Sequence, residues 1–463
     1  MTQNKSHLRQ FAFPLWLVGA SLTALLLAFI LGAAMFRHIS LGGNKLPESI
    51  AKLVSALAEG PSLIKQATYE IIHSFKNDPT PLLISKEKVW GPNWDHKFPA
   101  PEDNGYLLLS GLNPQKKQST VQLIRVADGS VVAEWAPDWD LIHSKISSHR
   151  WGAPKGSVRT YRAIHPLLLG DGSLIFNTGT SLIRLPLCSS APDWVINFPY
   201  HHSVELAPDG ESIWVPSVTE KFFTEHPFLK EKLRDDSLAQ VDLQGRVLKN
   251  LSFSKILVEN GFSAQLLGTN GPAFNNDPIH INQITPAKID TPYWNRGDLL
   301  ISARHLSTIY LYRPSTGKII WHKQGHWLNQ HSAHFVKNYS IAVFGNDIYS
   351  GNVPDPFITP EKRNSIYLYD FRSRVTNQVH PEILDKLKPK TVSQGRVRVL
   401  DDASTFIEET DSGRLIKIDA KGQVQWSYVN VYDDKHLGSV AWSRYITRQE
   451  LETTLEFSAF RCN

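Results

Sequence analysis

Four histidines carry the first chemical signal in this sequence: His165, His202, His280 and His331. Each opens a unit with one grammar, an imidazole followed by an apolar stretch, a turn and a strand. The clearest runs from His202 through Pro208, Asp209 and Gly210 into Ser212-Ile-Trp-Val-Pro. A second runs from His331 to Asn338 and into Ser340-Ile-Ala-Val-Phe. Asp209 and Asn338 sit at the same offset from their histidines, and both residue types suit a tight turn. A single histidine at a strand start is ordinarily a hydrogen-bonded packing residue. Imidazoles recurring at one register are different, because their pKa near neutrality lets them act as acid, base or nucleophile. Arg304, within Ser302-Ala-Arg-His305, places a permanent cation on the strand after His280. A guanidinium beside imidazoles is a trap for sulfate, phosphate or carboxylate. Three readings compete: transfer of an anionic group through a histidine adduct, a metal site, and a purely structural channel. No carboxylate shares the register and Arg304 would repel a divalent cation, so no metal and no cofactor is expected. Anion transfer fits the set best.

The elements that must position these residues are short strands and turns. Second hairpins follow the histidine strands, as in Thr308-Ile-Tyr-Leu-Tyr, the turn Ser315-Thr-Gly317, and Lys318-Ile-Ile-Trp321. Alternating side chains mark half-buried strands. Six units emerge, at 90–150, 160–199, 200–255, 278–325, 330–385 and 391–445; the last opens on Ser393-Gln394-Gly395-Arg396 instead of a histidine. Repetition of this kind predicts an all-β fold, a six-bladed β-propeller of four-stranded blades. The innermost strands line the central channel, so equal register predicts one ring of histidines at one height, with Gln394 and Arg396 in the sixth place. The loops at 221–236 and 260–276 are long for a compact fold and are expected to set specificity.

Ahead of the propeller, residues 11–36 contain no charged side chain. A bilayer core needs about 20 apolar helical residues, so this segment reads as one N-terminal transmembrane helix. Lys5 and Arg9 precede it, which keeps residues 1–10 cytoplasmic and sends the rest outward. A cleaved signal peptide is the competing reading, but the run exceeds the roughly 7–15 apolar residues usual there. The expected location is therefore the inner membrane, single-pass, with the propeller of residues 90–463 on the periplasmic side. Between lies a helical stalk, 37–89. Leu46, Ile50, Leu53, Val54 and Leu57 fall on one helical face, Gly60-Pro61 breaks it, and Leu63, Ile64, Ala67, Ile71 and Phe75 resume it. These two short amphipathic helices suit the membrane surface, the propeller wall or a membrane-protein partner.

Net charge is +5, but Lys and Arg are dispersed with no basic block, so nucleic-acid binding is not expected. The two cysteines, Cys188 and Cys462, lack metal-site spacing and are too few for a disulfide framework.

The ordered set of motifs resembles the arylsulfotransferase family. The matching stretches are His201-His202-Ser203 with Pro208-Asp-Gly210, His280-Ile-Asn282-Gln283, Ser302-Ala-Arg-His305, and Gln330-His331-Ser332, within roughly residues 160–445. The resemblance implies ping-pong sulfuryl transfer between phenolic compounds, with a phenolic or aryl sulfate substrate and no nucleotide donor. It implies His331 as the nucleophile that becomes sulfohistidine, His280 as acid or base on the phenolic oxygen, and Arg304 with His202 holding the sulfuryl oxygens. His201, Asn282 and His305 come with the same motifs as substrate contacts, and His165 and Arg396 join them by register. The chain departs from the family at Ser203 and Ser332, where acidic residues often stand, and at Val343-Phe-Gly-Asn-Asp347. The other reading is a non-catalytic tethered propeller, a scaffold or ligand-binding subunit of a membrane complex.

Overall fold

The computed structural model describes residues 15–40, 82–88, 97–148, 157–220, 222, 233–268, 276–349 and 355–454. Helix Leu15–Ser40 belongs to one compact unit and the strands to another. Side chains of that helix are described from Gly19 to Met35. Among the described residues, no helix is long and apolar enough to cross a membrane. The amphipathic segments expected at 46–75 lie outside the described residues, as do Cys462 and the centres of both long loops, 223–232 and 269–275. Cys188 is disulfide-bonded.

Six four-stranded antiparallel sheets form the blades. Blades 2 to 6 take their inner strands from Ile164–Leu168, Glu205–Leu206, Ile281–Pro286, Ala333–Val336 and Arg396–Val399, and each then runs outward in chain order. Blade 1 differs. Its outer three strands are Tyr106–Asn113, Gln118–Arg125 and Val131–Trp135, but its inner strand is Arg444–Ile446 from the far end of the chain. The sixth unit expected at 391–445 therefore donates its last strand to the first, and pairing of Tyr106–Leu108 with Arg444–Ile446 closes the ring. Within the stalk expected at 37–89, Leu83–Ser85 already pairs with His436–Gly438 of the propeller unit.

Side-chain alternation sets how the blades pack. Leu108 faces blade 2 with Leu174 and Phe176, whereas its neighbours Leu107 and Leu109 face blade 6 with Phe406 and Trp426. In blade 5, Val343 meets Leu300 and Leu311 of blade 4, while Ala342 and Phe344 meet Ile407 and Ile416 of blade 6. A period of two thus feeds two neighbouring interfaces from one strand. Strands such as Ser212–Thr219 and Ser340–Gly345 are buried throughout, because both faces are covered. The outermost strand of blade 4, Lys318–Gln324, alternates exposed and half-buried positions. Each fully buried Leu or Phe contributes about 1.5–3 kcal/mol.

Near the axis, polar side chains staple one inner strand to the next. The Val204 amide donates to His165 Nδ1 at 2.8 Å, Ile284 to Ser203 Oγ at 3.0 Å, Ala333 to Gln283 Oε1 at 3.1 Å, and Val397 to Ser332 Oγ at 3.0 Å. Ser203 and Ser332, two departures from the family pattern, are thus inter-blade acceptors.

Candidate functional site

Near the start of five of the six inner strands, the backbone turns left-handed. His165, His202, His280, Gln394 and Trp442 have φ between 52° and 61°. Such a conformation costs a non-glycine residue on the order of 1–3 kcal/mol and tends to be held at functional sites. Here it breaks the strand and re-aims the side chain toward the axis. His331 does not share it, so the register is not uniform around the ring.

Three imidazoles converge. The His202 ring centroid lies 5.2 Å from that of His280 and 6.2 Å from that of His331. Trp442 caps the group, at 6.0 Å from His202 and 6.3 Å from His331. A cavity of about 450 Å³ opens onto His202, His201, Trp442 and Gln394.

The hydrogen bonds fix the tautomers. Asn346 Nδ2 donates to the carbonyls of Thr391 and Gln394, at 3.0 and 2.9 Å. Its Oδ1 must then face His331 Nδ1, 2.6 Å away, so that nitrogen carries the proton. The lone pair of His331 lies on Nε2, where it accepts from the Gln394 amide at 2.8 Å. His280 donates Nδ1–H to Asp277 Oδ2 at 2.5 Å, which leaves its Nε2 for chemistry. Burial pushes the Asp277 carboxyl up, but His280 and Arg234 outweigh this and hold it well below its ordinary value.

His201 and His202 share one proton between their Nδ1 atoms, 2.8 Å apart. His201 Nε2 lies 3.8 Å from Asp236 Oδ1, an acceptor. Its proton therefore sits on Nε2, and His202 donates Nδ1–H to it. This leaves His202 Nε2 a lone pair. Burial holds His202 and His331 well below the ordinary histidine value, with further lowering by neighbouring histidines and by Arg304, respectively. Both are neutral at pH 7.

Arg304 donates from Nη1 to His305 Nε2 at 2.7 Å, and His305 in turn donates Nδ1–H to the Asp277 carbonyl. His305 thus orients Arg304. Arg304 Nε is buried and without a hydrogen bond. Asn282 is buried and donates to the Gln330 carbonyl at 3.0 Å, joining blades 4 and 5. His165 meets Trp442 edge-on, with ring centroids 5.3 Å apart, and both His165 and Arg396 turn toward one carboxylate. His165 Nε2 faces Glu205 at 3.5 Å, and Arg396 Nη2 lies 3.8 Å from the same carboxylate, with Arg444 donating to it at 3.1 Å. Glu205, Arg396 and Arg444 are the first residues of their inner strands, so a charged group adjoins the imidazoles.

Asp277, His280 and His305 place one ligand atom each within 4.8 Å, a spacing that suits a cation. No carboxylate was expected at the histidine register, yet Asp277 reaches it from three residues upstream. Arg234 lies 3.5 Å from the Asp277 carboxylate and Arg304 occupies His305 Nε2. Both guanidiniums oppose a divalent ion at this point, and His280 Nδ1 and both ring nitrogens of His305 are already hydrogen-bonded.

Asn346, Asp277 and Trp442 escaped the sequence reading. Asn346 stands in the stretch 343–347 that departs from the family pattern, which was the available signal. A propeller with this histidine and arginine set invites comparison with known proteins, and the arylsulfotransferase (ASST) family model matches residues 173–431. The chain belongs to the arylsulfotransferase family. The match contains His202, His280, Arg304, His331 and Asn346; His165 and Trp442 lie outside it. Family and fold together support a sulfotransferase-type function. No curated protein matches the chain. Among solved structures it is similar to a protein of unknown function from Bacteroides caccae (13% identity, 74% of this chain and 99% of that one, TM-score 0.44). It is also similar to TolB from Acinetobacter baumannii (13%, 74% and 66%, TM-score 0.41) and to hydrazine synthase from Kuenenia stuttgartiensis (9%, 72% and 80%, TM-score 0.39).

Proposed function

We propose that this arylsulfotransferase-family protein moves sulfuryl groups between phenolic compounds in two half-reactions through a sulfohistidine on His331. We place the propeller on the periplasmic side of the inner membrane, tethered by residues 11–36. The observation that carries the chemistry is the fixed tautomer of His331, whose lone pair lies on Nε2.

In the first half-reaction Nε2 attacks sulfur, the S–N bond forms, and the aryl C–O–S linkage breaks at S–O. The leaving phenolate takes the Nε2 proton of His280, whose Nδ1–H is held by Asp277. In the second, an incoming phenol returns that proton to His280, its oxygen bonds sulfur, and the S–N electrons return to His331. The proton balance closes on one residue. The Gln394 amide that occupies the His331 lone pair must let go at attack, and it then stands beside the sulfuryl oxygens. With Arg304 it supplies donors where negative charge collects. His202, neutral with a lone pair on Nε2, suits accepting a hydrogen bond from the phenol better than holding a sulfuryl oxygen. For the tether, support comes from helix Leu15–Ser40 and its exposed Leu22, Leu25, Leu26, Phe29 and Leu31.

Incubation with 4-nitrophenyl sulfate followed by intact-mass measurement should show a sulfuryl adduct that His331→Ala abolishes. Absence of an adduct under all donor conditions, with a membrane partner co-purifying in stoichiometric amount, favours the scaffold reading instead. Deletion of residues 1–36 should release the propeller from the membrane fraction.

A further inference from the structure

Arg162 lines the same cavity as His202 and Trp442. Its backbone is clamped on both sides. Tyr161 is fully buried and stacks on Trp139 with ring centroids 5.5 Å apart. On the other side, Ser110 Oγ donates to the Ala163 carbonyl at 2.5 Å, and the Ala163 amide donates to Ser119 Oγ at 3.3 Å. The guanidinium, by contrast, has no hydrogen bond and no ion pair among the described residues. Arg234, the other guanidinium of this cavity, is paired with Asp236 at 3.0 Å. No carboxylate lines the cavity among the described residues. The carboxylates whose charge reaches Arg162 are Asp411 and Glu408. Both are occupied: Asp411 accepts from the Val392 and Ser393 amides, and Glu408 from those of Trp442 and Ser443. Arg162 also lies outside the stretch matched by the family.

A half-buried guanidinium that lines a cavity without a protein partner is suited to binding an anion. The sulfuryl group to be transferred belongs at His331 and Arg304, so it does not account for this second cation. We propose that Arg162 forms a separate anion subsite on the wall of the histidine cavity. The preferred phenol or aryl sulfate then carries a second negative group, a carboxylate or sulfonate, on its ring or a short side chain. The apolar edges of the cavity, Ile164, Pro199 and Trp442, receive the ring between the two charges. This inference rests on the sulfuryl-transfer reading for its substrate class, but not for its binding measurement.

The test compares phenol with 4-hydroxybenzoate and 3-(4-hydroxyphenyl)propionate as acceptors, with 4-nitrophenyl sulfate as donor. The wild type should favour at least one carboxylated acceptor in kcat/KM, and Arg162→Gln should reduce that preference ratio about tenfold, the value of one charge-assisted hydrogen bond. Arg162→Lys should keep part of it. An unaltered ratio overturns the subsite. Calorimetry of the same ligands answers independently of turnover. Tighter binding of the carboxylates by the wild type, lost in Arg162→Gln, upholds the subsite even where no sulfuryl transfer occurs. Equal binding of phenol and carboxylates by the wild type overturns it. Should Arg162→Gln fail to fold, the wild type alone decides: (4-hydroxyphenyl)trimethylammonium must bind more weakly than 4-hydroxybenzoate, and the reverse order sinks the proposal.

Discussion

His331 donates its Nδ1–H to Asn346 Oδ1 across 2.6 Å, and this bond decides which nitrogen of the ring can react. Asn346 is able to impose the choice because both of its amide protons are committed to the carbonyls of Thr391 and Gln394. Replacing it by Ala frees the His331 ring and leaves those two carbonyls without their donors. Asn346→Ala should lower the rate of sulfuryl loading by about 10- to 100-fold, as loss of an orienting partner does for other reactive imidazoles. Nitrogen NMR of the His331 ring should show Nδ1–H alone in the wild type and a tautomer mixture in the variant. A single unchanged tautomer with unchanged loading would refute the role.

Asp277 accepts the Nδ1–H of His280, and the proposed donor step needs proton donation only when the leaving phenolate is basic. Asp277→Asn keeps an acceptor but removes the charge. Turnover of phenyl sulfate should fall by about 10²–10³-fold. With 4-nitrophenyl sulfate, whose phenolate leaves unaided, the deficit should shrink markedly. Equal losses on the two donors would show that Asp277 only shapes the site.

These two partners mark the limit of what was legible. Six blades and the cluster of His202, His280 and His331 beside Arg304 followed from repetition, because β-strands write their period and their turns into the sequence. Asn346 and Asp277 did not, since each works through a contact made by folding. Asp277 looks like an ordinary loop acid until the left-handed turn at His280 brings the ring back onto it. Ring closure was also hidden. Arg444–Ile446 is a three-residue strand, and its partner lies at the other end of the propeller. Nor did equal spacing reveal that the His165 ring bonds the Val204 amide, faces Glu205 and touches Trp442.

The buried imidazoles should give stability a definite pH dependence. Burial lowers His305 and His334 to about 4, and holds His165, His201, His202 and His331 well below their ordinary value. Between the folded value and about 6.5 the unfolded chain binds more protons than the native one, so stability rises with pH through that window. It is complete above it and lost as pH falls through it. Burial also raises Asp235, Asp236 and Asp347 to about 6, and this acts in the opposite sense between about 4 and 6. Burial raises Glu408 and lowers His322 as well, and seven imidazoles against four carboxylates leave a net rise. Melting temperature should therefore climb from pH 4.5 to 6.5 and then level. A melting temperature that falls over this range would contradict the neutral cluster.

Glu408 ties the cluster to the closure of the ring. Its carboxylate accepts from the Trp442 amide at 2.7 Å, the Ser443 amide at 2.5 Å and Thr410 Oγ1 at 2.8 Å. Those bonds hold the left-handed turn at Trp442, two residues before the closing strand. Glu408→Gln keeps the shape but turns an amide NH₂ toward one backbone N–H. One buried donor is then unsatisfied, which costs about 1–3 kcal/mol. Hydrogen exchange should localise the damage. Amides of Arg444–Ile446 and Tyr106–Leu108 should exchange faster, while those of Leu299–Ala303 in blade 4 stay protected. Because Trp442 contacts both His202 and His331, sulfuryl loading should slow in the same variant. Uniform loss of protection in all blades would mean that Glu408 supports the fold as a whole and not the seam.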